Sequence, residues 1–405
     1  MHVLYIHQHF STRQGAAGTR SYEMARKLAA LGHSVTMVCG SYGMAASGLT
    51  GAFRRNRREG MVDGIRVIEF DLAYSNRDGF TKRSVTFLRY ALGAMRIALT
   101  SSYDLLFATT TPLTAALPGL VARWIRGKPF VFEVRDLWPE LPKAMGAIRN
   151  PLLLWALAAL EHVAYRSANR CIALAPGIAT GIARTGVAPE QIELIPNGCD
   201  LEVFQAASPV ARPAGIPATN LMAIFAGTHG TANGLDAVLD AAAVLRERGR
   251  NDISLVLVGD GKCKVSLGER VERERLDCVV LLDPVPKERL AGLLAASDVG
   301  IQCLADVPAF YFGTSPNKFF DYIAAGLPVL NNYPGWVAGM IEREQCGFAI
   351  APRDAEAFAD ALERAAEDRA GLQDMGARAL ELAKRDFDRS LLADGWAAWV
   401  TGAGR

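Results

Sequence analysis

The sequence predicts an α/β chain of two doubly wound domains in tandem. Three observations carry this. The 405 residues exceed what a single hydrophobic core usually supports. Short β-rich apolar runs alternate with helical patterns from end to end, as in parallel sheets wrapped by helices. A stretch of little period, rich in proline and alanine ("GCDLEVFQAASPVARPAGIPAT", 198–219), separates two such alternations and reads as the linker.

The first alternation opens on "HVLYI" as a strand. "GTRSYEMARKLAALG" follows as a helix, with Met24, Leu28 and Leu31 on one face and Gly32 as its C-cap. "SVTMVCG", "IRVIEFDL", "DLLFATT", "PFVFEV", "RCIALA" and "IELIPN" read as further strands, most of them separated by helical segments. Beyond the linker come "LMAIFAG", "ISLVLVGDG", "CVVLLDPV", "VGIQCL", "LPVLNN" and "GFAIAP", and the tail from about residue 354 is helical. Two such domains place a ligand at the carboxyl ends of their strands, in the cleft between them.

Composition narrows the function classes. Half of the residues are hydrophobic and 21% are charged, an ordinary soluble balance, and a net charge of +2 gives no argument for nucleic acid as a partner. Seven scattered cysteines without a C-x-x-C pair fit a reduced, cytoplasmic protein better than a disulfide framework or a zinc site. His7 and His9 alternate at a strand end, but the six histidines form no H-x-x-x-H motif, and no metal site is expected. The chain starts directly on a strand, so no secretory signal is visible. The most apolar stretch, 151–165, is interrupted by Glu161 and His162 before it reaches the length of a spanning helix.

The strand-end loops carry the chemistry. After the first strand, Gly15 and Gly18 in "STRQGAAGTR" permit a tight turn and close backbone approach, and the following helix points free N–H groups at the cleft. The spacing is G-x-x-G rather than G-x-G-x-x-G, so a dinucleotide site is not expected; a plain strand-to-helix turn is the other reading. "FEVRDLWPE", 132–140, places Glu133 and Arg135 on one side of a buried strand and Asp136 at its exit beside Trp138. An internal salt bridge beside a capping turn is the alternative there. "FAGTHGTANGLDAV", 225–238, leaves open backbone at Gly227, Gly230 and Gly234 for a phosphate, and "VGDG", 258–261, ends the next strand. The loop of "LLDPVPKERL" has unpaired backbone groups suited to a nucleobase edge, whereas Asp298 reads as a capping or packing residue. In "TSPNKFFDYIAAGLPVL", 314–330, Lys318 and Asp321 lie at i and i+3 and share one face of a helix at its N-terminal end. A cation there suits a pyrophosphate and a carboxylate suits a ribose diol. A surface ion pair is the bland alternative.

These motifs resemble family 4 of the retaining GT-B glycosyltransferases, in particular the bacterial branch that builds O-antigen and capsule, typified by N-acetyl-fucosaminyl transferases. The resemblance covers nearly the whole chain, and "IPNG" with its following acid and "PNKFFDYIAAGLPVL" are its most specific parts. It implies a GT-B fold: an acceptor-binding Rossmann-like domain at 1–198, a nucleotide-sugar-binding one at 199–387, and a C-terminal helix within 388–405 returning to the first. By that match Asp321 falls on the second acid of an E-x7-E motif and grips the ribose. Lys318 reaches the diphosphate, the Asp283–Val285 backbone holds the base, and Gly15 and Gly18 offer amides from the other wall. The donor set is completed by Gly227, Thr228, His229, Gly230, Asn233, Gly259, Phe312, Gly313, Thr314, Ser315 and Asn317.

Departures from the family pattern shift several roles. The first acid of the motif falls on Gly313, so "AFYFGTS" (309–315) or Asp306 must contact the sugar. The Arg and Lys usual after the first C-domain strand are replaced by Thr228, His229 and Asn233, which leaves more of the phosphate charge to Lys318. Many relatives carry a histidine near the "DLWP" position where this chain has Arg135. Asp136 is therefore the catalytic candidate beside Lys318, with Arg135 and Trp138 on the acceptor.

The expected reaction moves a sugar, HexNAc in type, from a UDP-sugar to a hydroxyl of a glycan or polyprenyl-diphosphate-linked acceptor. The resemblance implies a front-face route with retention, in which the leaving phosphate takes the acceptor proton and neither metal nor cofactor is needed. Two segments suit an anionic membrane surface on the cytoplasmic face: the arginine-rich "FRRNRREG" loop (53–60) and the helix at 82–99 with Lys82, Arg83, Arg89 and Arg96. A solvated loop and a core-packing helix are the alternatives. Rival functions on the same fold are a non-hydrolysing nucleotide-sugar epimerase and a catalytically silent partner subunit.

Overall fold

A computed structural model describes residues 1–404 apart from 16, 44 and 75–77. The chain divides into two compact units. The first comprises Met1–Asn197, Phe312–Ser315 and Ser390–Arg405; the second comprises Gly198–Tyr311 and Pro316–Arg389.

The first unit runs β1 (His2–Ile6), α1 (Arg20–Ala30), β2 (Ser34–Tyr42), β3 (Arg57–Val62), β4 (Ile65–Tyr74), α2 (Phe80–Thr100), β5 (Leu105–Thr109), α3 (Ala116–Trp124), β6 (Phe130–Val134), α4 (Glu140–Ala144), α5 (Pro151–Ser167), β7 (Arg170–Ala173), α6 (Pro176–Ala183) and β8 (Ile192–Leu194). Among the described residues its sheet has eight strands in the order β3-β4-β2-β1-β5-β6-β7-β8, parallel except at β3–β4. Strands β5 and β6 are buried along their whole length, as continuous apolar runs require when helices cover both faces. Helix α3 packs over β5 and β6 and lies between α2 and α5.

The arginine-rich stretch read as a loop is largely an edge strand. Arg57–Val62 pairs antiparallel with β4, from Arg57↔Phe70 to Val62↔Ile65. Asp63 and Gly64 turn the chain at φ 49° and 82°, the left-handed pair that a tight hairpin demands. Arg58 is not simply solvated: it pairs with Glu69 at 2.8 Å and lies over the Phe53 ring.

The second unit runs α7 (Leu201–Gln205), β9 (Leu221–Ala226), α8 (Asp236–Glu247), β10 (Ile253–Val258), α9 (Lys264–Glu274), β11 (Val279–Leu282), α10 (Lys287–Ala295), β12 (Val299–Gln302), α11 (Pro308–Tyr311), α12 (Asn317–Ala324), β13 (Val329–Asn331), α13 (Trp336–Glu344), β14 (Gly347–Ala349), α14 (Ala355–Glu367) and α15 (Arg369–Asp386). Its all-parallel sheet has the order β11-β10-β9-β12-β13-β14, so winding reverses between β9 and β12. The core lies where α8 turns Val238, Leu239, Ala242 and Leu245 onto Phe225, Leu255 and Leu257, with Phe358 and Leu362 of α14 beside them. The segment read as a linker is partly structured: it contains α7, and Val210 N–H donates to the Gly292 carbonyl while Arg212 pairs with Asp298 at 3.1 Å.

The last helix, α16 (Arg389–Gly402), belongs to the first unit from Ser390 onward. Its Trp396 is fully buried, stacked on Tyr5 at 5.9 Å and edge-on to Phe107 at 4.9 Å. Arg170 lies over Trp399 and donates to its carbonyl.

Candidate functional site

The glycine-rich loops of the second unit meet at the reversal point of its sheet. Gly227 N–H, just after β9, donates to the Val258 carbonyl, and a Cβ on Gly259 would stand 1.8 Å from the Gly227 oxygen. Gly234 sits at φ 56°, and a Cβ there would press on the Ala305 backbone at 2.8 Å. These loops are therefore interleaved at a spacing that no larger residue permits.

Lys318, in the first turn of α12, reaches into this floor. Its Nζ donates to Asn233 Oδ1 at 3.0 Å and stands 5.0 Å above the Phe225 ring. Asn233 is oriented in turn by donating from Nδ2 to the Thr228 carbonyl at 2.6 Å. Among the described residues no carboxylate forms a salt bridge with Lys318. Burial, in part opposed by Cys303 and Asp321, lowers its pKa to about 8.

Asp321 lies one turn further along α12. Burial raises its pKa, and Lys287 at the start of α10 opposes that from 3.7 Å. Lys287 is shared with Asp200, which also pairs with Arg389. Burial would raise Asp200, but Arg389 and Lys287 outweigh it and bring its pKa to about 2. The acid after "IPNG" thus anchors a chain of four charges that ends on Asp321. Neither Lys287 nor Asp200 was expected in the site. The available signal for Lys287 was its place at a helix start just beyond a strand end, in "LLDPVPKERL".

Lys264 fastens the neighbouring loops by donating to the Gly259 and Leu282 carbonyls at 2.9 and 3.0 Å and to Asp283 at 2.6 Å. The Asp283 carboxylate is therefore engaged, while Val285 is half-buried in the same loop. His229 departs from its expected contact role. Its ring is buried, with both nitrogens enclosed and unpartnered, and burial together with Lys264 lowers its pKa to about 4. The residue supports the loop through its backbone: N–H to the Asp260 carbonyl, and carbonyl from Cys263 N–H. Thr228 and Gly230 are half-buried in that loop, and Asn317 is exposed at the start of α12. Asp306, offered as a substitute sugar contact, is occupied by Tyr311 and Arg353. Asp298 accepts from Met222 N–H and pairs with Arg212 and Arg369, the packing role expected of it.

Phe312, Gly313, Thr314 and Ser315 fold with the first unit. The Phe312 carbonyl accepts from Gly177 N–H at 2.9 Å, and Ser315 takes Asn197 N–H on Oγ and Asn197 Nδ2 on its carbonyl, at 2.9 and 2.6 Å. The asparagine of "IPNG" therefore clasps this segment.

In the first unit, Glu133 is fully buried between two arginines. Arg20 pairs with it at 2.9 Å and donates to the Ile195 and Pro196 carbonyls. Arg135 donates to Glu133, Thr109 and Ser21 at 3.2, 2.8 and 2.8 Å. Burial would raise the Glu133 pKa, but the two guanidiniums bring it below the usual range. Arg135, expected on the acceptor, thus spends its donors on an internal network, whose partner is Glu133 rather than Asp136. Asp136 accepts from Thr111 Oγ1 at 3.0 Å, and burial raises its pKa. Trp138 is half-buried beyond it. Gly15 also departs from its expected role: its N–H donates to the Thr12 carbonyl, and a Cβ there would stand 2.3 Å from Ser11 Oγ. Gly18 is exposed two residues ahead of α1. Arg20, the first residue of α1, was missed because nothing in the sequence distinguishes a structural arginine there from a solvated one.

Two parallel-sheet Rossmann-like units with these strand-end loops define the doubly wound two-domain class of the GT-B glycosyltransferases. The domain families agree: residues 15–198 match the glycosyl transferase 4-like domain, and residues 220–368 match glycosyl transferases group 1. The chain carries the family 4-like and group 1 domains of GT-B glycosyltransferases. It is similar to a D-inositol 3-phosphate glycosyltransferase of Arthrobacter, 29% identical over 209 residues, which is 49% of this chain and 47% of that protein. The aligned stretch spans about half the length of that relative. Sucrose-phosphate synthase from Thermosynechococcus elongatus has the same fold over 99% of this chain and 98% of its own, at TM-score 0.75 and 19% identity. HepE from Anabaena, solved with UDP and glucose, matches 99% of this chain and 100% of its own at TM-score 0.70 and 18% identity.

Proposed function

We propose that this protein is a retaining glycosyltransferase that moves a sugar, HexNAc in type, from a UDP-sugar to a hydroxyl of a glycan or polyprenyl-diphosphate-linked acceptor, in surface-polysaccharide synthesis at the cytoplasmic face of a membrane. The observation that carries it is Lys318. A half-buried ammonium held by a neutral amide and an aromatic face, with its pKa lowered to about 8, lacks a counter-anion. A diphosphate supplies that anion beside glycine loops whose backbone permits close approach.

Asp321 takes the ribose diol in this scheme, and Lys287 opposes the burial that raises its pKa. Charge developing on the leaving diphosphate is stabilised by Lys318 and by the N–H groups at the start of α12. The leaving phosphate removes the acceptor proton, and Asp136 orients the acceptor. UDP as the nucleotide is favoured by the complexes of the fold relative from Anabaena.

The test is calorimetry of the full chain against UDP, GDP and their sugars, followed by product analysis with and without an acceptor lipid extract. UDP binding with acceptor-dependent sugar transfer supports the reading. Epimerised nucleotide sugar without acceptor places the epimerase first. A protein that binds no nucleotide has neither activity.

A further inference from the structure

We propose, building on the reading of a membrane-borne acceptor, that the outer face of α2, α3 and α5 in the first unit docks on an anionic lipid bilayer. Helix α2 buries Tyr90, Ala91, Ala94 and Ala98 and turns outward Val85, Leu88, Arg89, Leu92, Arg96 and Leu99. This stripe of apolar and cationic side chains runs about 21 Å along the helix. Helix α5 is more extreme. Its sequence, PLLLWALAALEHVAYRS, is apolar almost throughout, yet only Ala164, Tyr165 and Ser167 are buried. Leu152 is 76% exposed and Trp155 73%; at the end of α3, Trp124 is 69% and Ile125 67% exposed. A helix that is apolar all round and unburied lacks the partner its composition calls for.

The three helices form one surface. Trp124 Nε1 donates to Ser167 Oγ at 2.9 Å, joining α3 to α5, and Arg126 donates to the Leu99 carbonyl, joining the end of α3 to α2. Charge selects the occupant. Of the cations on these helices, Lys82 pairs with Asp78 at 2.7 Å and Arg83 lies over the Tyr74 and Phe87 rings, which leaves Arg89, Arg96, Arg123 and Arg166 against one acid of the helices, Glu161, which accepts from Tyr165 OH. A second copy of the chain would set these four arginines against each other with Glu161 as the one acid on the helices to answer them. Anionic headgroups over an acyl layer match both components: the leucines and tryptophans enter the apolar boundary while Arg89 and Arg96 stay at headgroup level.

The experiment is flotation of the full chain with vesicles of phosphatidylcholine alone or with roughly 30% phosphatidylglycerol, at low and high salt. Two double variants run beside it, Arg89→Glu/Arg96→Glu and Leu152→Ser/Trp155→Ser, each compared with wild type by melting temperature. All four side chains are exposed, so both variants are expected to fold, and either one alone tests the face. Wild type should float only with anionic vesicles. The charge variant should partition at least about 25-fold less, since two basic contacts are lost at about fivefold each and the introduced acids add repulsion, and the apolar variant should also lose binding. Failure of wild type to float with either composition overturns the proposal, as does flotation that survives both variants. A lipid-free dimer that the Leu152→Ser/Trp155→Ser variant dissolves makes the face a self-interface instead. UDP calorimetry on the same samples separates the two readings: vesicle binding without nucleotide binding removes the transferase reading alone, and the converse removes only the docking surface.

Discussion

Replacing Lys318 by methionine should strengthen the empty protein and weaken its nucleotide complex. The ammonium is half-buried beside a neutral amide and an aromatic ring, and that burial brings its pKa to about 8 from the usual 10.5. Methionine keeps most of the side-chain volume and removes the charge. The gain from relieving the buried cation exceeds the lost hydrogen bond to Asn233 and the lost ring contact by about 1 kcal/mol. That corresponds to a melting temperature higher by about 2–4 °C. The complex moves the other way, because a charge-assisted hydrogen bond to a phosphate contributes about 1.5–3 kcal/mol. UDP should therefore bind about 10- to 150-fold more weakly. Differential scanning calorimetry and isothermal titration on the same preparation read both numbers. Unchanged UDP affinity would refute the argument, and so would a fall in melting temperature, since it would mean that Lys318 is already compensated within the protein.

The pH dependence has a definite sign. In the free protein Lys318 loses its proton near pH 8, and a bound diphosphate raises that pKa. Wild-type affinity should then be level below pH 8 and weaken above it by about tenfold per pH unit, while the methionine variant stays flat. Stability runs oppositely. The unfolded lysine holds its proton up to about 10.5, so the unfolded chain binds more protons between pH 8 and 10.5 and the empty protein gains stability across that window.

Lys287→Met should leave burial to raise the Asp321 pKa further, so that as pH falls UDP affinity declines at a higher pH than in wild type, measured by titration calorimetry on both proteins. Asp321→Asn should abolish the preference for UDP over its 2′-deoxy analogue, read as the ratio of the two Kd values. Asp200→Asn removes the anion shared by Arg389 and Lys287 and should cost about 3–5 kcal/mol in urea unfolding. The wild-type contribution is present above the ordinary value of 3.8 and is lost as pH falls through about 2, since the pairing lowers the folded pKa. Gly259→Ala would place a methyl against the Gly227 carbonyl and should cost about 2–4 kcal/mol, whereas Gly268→Ala in α9, where a Cβ meets nothing, should gain about 0.5–1 kcal/mol.

Most of the fold was legible because parallel strands covered on both faces are written as uninterrupted apolar runs. "DLLFATT" and "PFVFEV" are of that kind, and β5 and β6 lie within them. Strand β3 was hidden because an edge strand need not be apolar; its own Arg57 and Arg58, with Arg54 and Arg55 just before it, masked it. Its signal was the Asp63–Gly64 turn between two short β-capable runs, a stronger cue than the charge of the strand itself. In the candidate site, the placement of Lys318 and Asp321 on one helix was legible from their spacing after a helix-start signature, and their roles toward a diphosphate and a diol belong to the proposed function. Lys287 and Asp200 were not, since they lie 87 residues apart in sequence and only folding makes them one ion pair. Arg135 shows the opposite limit. Its place at a strand exit suggested a ligand contact, yet a buried Glu133 requires compensation and takes that guanidinium for itself.

The contrast between the cations of the second unit separates architecture from function. Lys264 ends on two carbonyls and a carboxylate, and Lys287 ends on two carboxylates. Each is satisfied, and each fastens one loop or helix start to another. Lys318 stands among them with an amide and an aromatic face, at the point where glycines at 227 and 259 keep the floor free of side chains. A folding requirement would place an acid beside it, as it does for the other two. In the proposed function, leaving that place open keeps the ammonium's electrostatic attraction available to an incoming anion rather than spending it on a fixed partner, as the proposed uptake and release of a charged donor would require.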